Sequence, residues 1–429
     1  RAIISERRDP RLGTVLWTLA GGTRVVVRPT DFRADEVLMS AWSPGGSSLG
    51  PDEGYLSRAL AASLVGLGGL GSFDAVALDK KLSGRIARVT PFITTIQEGL
   101  SGSASPRDLE TLFQLIYLTF TAPRADTAAF GAFQTNVRAS LVNRGASPEA
   151  VFGDTLQATL TQYHPRTRPV TPGAVDSLDL EAAFRFYQDR FSDASDFTFV
   201  FVGNIVVDSL RPLVERWIGG LPARLRREDF RDLGIEPPRG VVERTVRRGV
   251  EDKSMTQIVF TGDFEYDRPS RAALRGLAEV LTIRLREQLR EALGATYGVT
   301  VQAAPVRWPR PAYSFSIGFG SAPARVDELA RAVLAAVDSI RATGPSAEEM
   351  AKVREAEVRS RETALRLNRY WLSQLGFFLQ VGEDPVALLD PRGDADLLTA
   401  DTVREAARRY LDPGNHVRVT LLPESGRPQ

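Results

Sequence analysis

Cysteine is absent from the 429 residues, so neither disulfides nor thiolate metal sites can form. Histidine is almost absent too. The two that exist, His164 and His416, stand 252 positions apart, which argues against a self-contained histidine-based metal centre. No apolar run reaches membrane-spanning length, and the first residues do not read as a signal peptide. Charge of one sign is also missing. Fifty-four basic residues offset fifty-three acidic ones and no basic block stands out, which makes nucleic acid a poor partner. Elbow, phosphate-loop and EF-hand signatures are all lacking. The glycine run Gly66-x-Gly68-x-x-Gly71 follows a helical stretch rather than a strand, so it reads as a bend and not a dinucleotide fingerprint. The chain opens on Arg1 rather than Met, as expected of a processed product, an excised fragment or a trimmed piece.

What is present is ordinary globular composition, 43% hydrophobic and 25% charged, over a length that suits two domains or more. Val15–Leu19 and Thr23–Arg28 flank Gly21-Gly22 as a hairpin, and Val37–Trp42 follows as a third strand. A helical stretch from Gly54 to Val65 comes next. Arg85–Ile96 alternates like a strand, and Ser105-Pro106-x-Asp108 starts a helix over Leu109–Phe120. The second half repeats this order. Leu178–Asn204 and Leu398–Glu424 share one layout at an offset of 220 residues, a capped helix followed by an apolar strand. The pattern predicts an α+β protein of two homologous domains, each a mostly antiparallel sheet with helices packed on one face. The domains are expected at 1–222 and 241–429. Residues 223–240, charged and broken by Gly234 and Pro237-Pro238, form the linker.

The most informative stretch is Leu285–Gln302. An amphipathic helix enters it with Leu274, Leu277, Leu281, Leu285 and Leu289 on one face, capped by Asp267 and closed by Gly294. Tyr297, Val299 and Val301 then alternate as a strand. Arg290 falls in the last helical turn and Tyr297 seven positions later, so a tight turn could bring guanidinium and phenol to one side of a cleft. They could donate hydrogen bonds to a carbonyl oxygen as charge builds on it. Equally, Arg290 could complement the helix C-terminus while Tyr297 anchors the sheet rim. Periodicity does not choose between these.

The segment LREALGATYGVTV resembles the late motif of the pitrilysin/insulinase-type zinc peptidases, whose metal sequence is H-x-x-E-H. Leu19–Val27 is similar to that family's opening hairpin and Phe201–Pro222 to its strand, Gly-Asn and helix. Pro29–Gly46 is similar to the C-terminal half of long bacterial periplasmic members. Aligned from Gly54, the metal motif falls on Ser57, Leu60 and Ala61, and Gln134–Arg144 holds no carboxylate for a third ligand. The resemblance therefore implies a half that binds no zinc and has no cofactor of its own. Its partner would be an H-x-x-E-H half, fused or separate, which holds zinc and acts on peptides in a closed chamber. Arg290 and Tyr297 carry over as the donors to the substrate carbonyl and the oxyanion. A periplasmic or otherwise exported location is implied as well. The rival expectation is a catalytically inactive scaffold or peptide-binding member of the same family.

Overall fold

The computed structural model describes residues 1–293 and 298–424, with the side chains of 290–293 outside that description. Two compact units emerge, each assembled from separated pieces of chain. One comprises residues 1–137, 173–233 and 362–390; the other comprises 138–172, 234–361 and 391 onward.

The first unit holds seven strands: β1 (Ile3–Asp9), β2 (Thr14–Leu19), β3 (Arg24–Pro29), β4 (Val37–Pro44), β5 (Ala87–Ile93), β6 (Gln97–Ala104) and β7 (Thr198–Gly203). They lie in the order β1-β2-β3-β7-β4-β6-β5. Only β3 and β7 run parallel. The second unit holds β8 (Val241–Arg247), β9 (Ser254–Asp263), β10 (Val299–Val306), β11 (Ala312–Ser321) and β12 (His416–Leu422), ordered β8-β12-β9-β11-β10, with β8 and β12 parallel. Without β1 and β2 the two sheets have one topology. In each, the first strand pairs parallel with the last, which then pairs antiparallel with the second. The 220-residue offset holds in detail. Asp179 accepts from Ala182 N–H at 2.9 Å to cap helix Leu180–Arg190, and Thr399 accepts from Thr402 N–H at 3.1 Å to cap helix Ala400–Tyr410. The duplication is thus written in strand order as well as sequence pattern.

Burial explains which residues became strand. In β7, Phe199 and Phe201 point into one core while Val200 and Val202 point into another. A strand covered on both faces reads as an unbroken apolar run. The larger core lies between the sheet and helices that include Leu109–Thr121 and Leu180–Arg190. The other face of β3, β4 and β7 is covered by helix Asn368–Val381, through Trp371, Leu375 and Phe378. The second unit mirrors this. Helices Arg268–Leu293, Val326–Thr343 and Ala400–Tyr410 bury the main face, and helix Pro148–Leu160 brings Phe152 against Val246, Val417, Val419 and Leu421 on the other. Each sheet therefore carries a helix layer plus one further helix on the opposite face, and that helix comes from the other half of the sequence.

Two local readings change. The strand read at Arg85–Ile96 is present as β5 but ends at Ile93, where Thr94 N–H donates to Gln97 O at 2.8 Å and turns the chain back into β6. The helix read from Gly54 to Val65 is two short helices, Tyr55–Ala59 and Ala61–Gly66, which meet at Leu60 where ψ is 1°.

Candidate functional site

The two stretches singled out in the sequence occupy the same slot in the two units. Helices Tyr55–Ala59 and Ala61–Gly66 lie between β4 and β5, while helix Arg268–Leu293 lies between their topological equivalents, β9 and β10.

In the first slot the chemistry has been replaced by packing. Ser57 is buried and its Oγ accepts from Asp179 N–H at 3.0 Å, which joins this helix to the start of Leu180–Arg190. Leu60 is the hinge residue between the short helices and packs against the core. Ala61 is fully buried in that core. An alkyl side chain, a methyl group and an engaged hydroxyl offer no ligand set for a divalent cation and no general base. Downstream, Gln134 Nε2 donates to Val175 O at 3.0 Å, and the helix Thr127–Ala146 around it contains no carboxylate. Among the described residues, no three His, Asp or Glu side chains cluster as a metal ion would require. The residues present do not fit zinc. The histidines serve structure. His164 Nδ1 accepts from Arg166 N–H at 3.3 Å, and buried His416 donates through Nδ1 to Pro413 O at 3.0 Å. Burial holds the His416 imidazole below its ordinary pKa.

In the second slot the scaffold is well defined. Asp267 accepts from Ser270 N–H at 2.7 Å to begin helix Arg268–Leu293, and all five leucines of its stripe are buried in the core. The helix is braced at its start and past its middle. Near its start, Arg268 Nε donates to Asp394 Oδ1 at 2.7 Å and Arg275 Nη2 to Oδ2 at 3.2 Å, and Arg361 reaches the same carboxylate. Burial alone would raise the Asp394 pKa, but the Arg268 hydrogen bond and the charges of Arg361 and Arg275 hold it below the usual range. Nearer its end, Arg284 forms a two-pronged pair with Glu349 at 2.9 and 2.8 Å, with both side chains about one-seventh exposed. Arg290 lies in the last turn of this helix, six residues beyond Arg284. Its side chain and the whole of Tyr297 lie outside the described residues. The chain re-enters at Gly298 with φ +110°, a conformation open to glycine, and β10 begins at Val299.

Sequence reasoning missed the bracing set of Asp394, Arg361 and Glu349. A partial signal existed: Ser346-x-x-Glu349 is a capping box, and Glu349 Oε2 does accept from Ser346 N–H at 2.7 Å.

Residues 177–357 match the peptidase M16 inactive domain. That stretch, which includes helix Arg268–Leu293 but not the first slot, is similar to the inactive domain of the M16 peptidases, the pitrilysin-like class. The chain is homologous to the PqqL zinc proteases. A zinc protease PQQL-like protein of Arabidopsis thaliana is 24% identical over 390 residues, which cover 87% of this chain and 38% of that protein. The probable zinc protease PqqL of Escherichia coli is 23% identical over 434 residues, which cover 99% and 46%. The chain thus spans less than half the length of these relatives. Among solved structures, the periplasmic protease PqqL of Escherichia coli superposes with a TM-score of 0.86 at 22% identity, covering 98% of this chain and 46% of that one. An M16 inactive domain from Pseudomonas fluorescens gives 0.79 at 16% identity, covering 97% and 100%. The first half of Escherichia coli PqqL, at 14% identity, still gives 0.75 over 98% of this chain and 93% of that half. One half-molecule fold serves both halves of such proteins.

Proposed function

We propose that this chain is the non-zinc half of a zinc metallopeptidase. It would supply Arg290 and Tyr297 to a substrate carbonyl that a partner half, carrying H-x-x-E-H, attacks with zinc-activated water. The observation that carries this reading is the contrast between equivalent slots. One offers no metal-ligand or base function, whereas the other has an arginine in the last turn of a helix braced by two part-buried ion-pair sets. The lengths of the relatives support a partner half of similar size, fused or separate. Guanidinium and phenol are suited to the task, since one stays charged at every working pH and the other donates while tolerating partial burial. The substrate is a peptide, and the location is the periplasm or another exported compartment, as in the Escherichia coli relative.

The test is reconstitution with the H-x-x-E-H half and a quenched fluorescent peptide. Arg290→Ala and Tyr297→Phe should each lower turnover about 10²–10³-fold, the usual cost of one oxyanion donor, with an unchanged melting curve. Wild-type turnover in both variants refutes the assignment.

A further inference from the structure

Helix Asn368–Val381 packs against β7 and β4, and the sheet continues past it into β6 and β5. A cavity of about 340 Å³ opens where the helix ends sideways and the sheet goes on. One register row builds its floor. Trp42 of β4 stands opposite Gly99 of β6, and Gly99 stands opposite Phe92 of β5. Glycine is required at the centre of that row. A Cβ there would collide with Ala41 O and with Cζ of Phe92, so the phenyl ring leans over bare backbone.

The helix supplies the facing wall. Arg369, Leu372, Ser373, Gly376, Phe377 and Gln380 line the cavity, and steps of three and four place them on one face. Gly376 brings the helix backbone close to the indole, since a Cβ there would already touch Trp42 at 3.6 Å. Trp371, Leu375 and Phe378 are taken up by the core beneath. Trp42 is buried, and Phe92, Leu372 and Phe377 are half-buried, so the middle of the slot is apolar and largely aromatic. Charge enters at one point. Among the described residues Arg369 is the one charged side chain that lines the slot. It is exposed and makes no hydrogen bond or ion pair with any of them. Gln380 lies eleven positions further along, so the two polar ends are about 16 Å apart on the helix.

We infer that this slot binds a small aromatic carboxylic acid, with its ring against Trp42 and Phe92 and its carboxylate on Arg369. Aromatic walls favour a flat apolar body through offset and edge-on ring contacts. The guanidinium is a planar fork that matches a carboxylate, and here it is uncommitted. A volume of about 340 Å³ lies at the small end of ligand cavities, which suits a free molecule of one or two rings. The site uses none of the residues assigned to peptide cleavage and stands whether or not Arg290 and Tyr297 act on a substrate.

The experiment is isothermal titration calorimetry on the intact chain. The probe is 1-naphthylacetate, beside the uncharged 2-(1-naphthyl)ethanol and the cationic 2-(1-naphthyl)ethylamine. The acid should bind saturably and about fivefold more tightly than the alcohol, the upper range for an exposed ion pair, with the amine weakest. Arg369→Gln should remove that advantage and leave the alcohol unchanged. Arg369→Glu should reverse the order in favour of the amine. Ser373→Trp, at an exposed lining position, should fill the slot and abolish binding of all three, with melting curves confirming that every variant folds. Equal binding of acid and alcohol, acid binding untouched by Arg369→Gln, or no saturable binding each overturns the proposal. Tighter binding of a short peptide ending in phenylalanine than of the naphthyl acid overturns it too, because the ligand would then be a chain terminus.

Discussion

Glu349→Ala tests whether the helix carrying Arg290 depends on its brace. Glu349 has two tasks. It receives two hydrogen bonds from Arg284 at 2.9 and 2.8 Å, and it completes the cap of helix Ala347–Ala364 by accepting from Ser346 N–H. Truncation leaves a guanidinium that is 13% exposed with Gly344 O as its remaining acceptor among the described residues. Removing one partner of a buried pair costs about 3–5 kcal/mol, and the lost cap is part of the same group rather than a separate addition. For a unit of about 200 residues, that corresponds to a fall in Tm of roughly 8–15 °C. Replacing both partners, Arg284→Met with Glu349→Leu, should recover more than half of the loss, because no charge is then stranded. The pH dependence supplies a second check. Burial opposes ionisation of Glu349, but the Arg284 hydrogen bond outweighs it and the folded pKa lies below the ordinary 4.5. A carboxylate with a depressed folded pKa stabilises above that ordinary value, and its contribution disappears as pH falls through the folded one. The gap between wild type and variant should therefore be full at pH 7 and shrink towards pH 3. Differential scanning calorimetry across that range measures it. A shift below 2 °C at pH 7, or a double variant as unstable as the single, would refute the bracing argument.

Rebuilding the metal motif as Ser57→His, Leu60→Glu and Ala61→His should fail to recruit stoichiometric zinc, since no third ligand exists in 127–146 and Ala61 has no room. Overpacking at Ala61 alone should cost about 1–3 kcal/mol; metal analysis and denaturant titration read the two outcomes. Buried Glu98 is pushed up to about 8 by burial, against the opposing effects of the Gly46 N–H and the Arg190 charge. A raised folded pKa means that stability falls as pH rises from about 4.5 towards 8, and Glu98→Gln should flatten that fall by on the order of 2 kcal/mol at pH 8 in urea titrations.

Much of the fold could be read in advance. Elements with one buried face announced themselves, such as β11, where Tyr313, Phe315, Ile317 and Phe319 alternate with serine and glycine, or the five-leucine helix. The helices Thr127–Ala146, Pro148–Leu160 and Asn368–Val381 were not read. The first buries no residue, so nothing imposes a stripe. The last does carry a stripe, since Tyr370, Trp371, Phe377 and Phe378 fall within one arc of about 120°, and that signal went unread. β1 and β8 escaped notice because they are charged outer strands.

By itself the sequence determined which residue types stand at each candidate position. Side-chain identity at Ser57, Leu60 and Ala61 rules out a ligand set there however the chain folds, and Arg290 and Tyr297 are equally matters of residue type. Only the tertiary structure decided that helices from each half cover the far face of the other half's sheet, that three arginines converge on Asp394, and that Arg369 shares a cavity with Trp42 and Phe92. Those facts depend on contacts between residues from 33 to more than a hundred positions apart, and local periodicity records only that a face is buried, not what buries it.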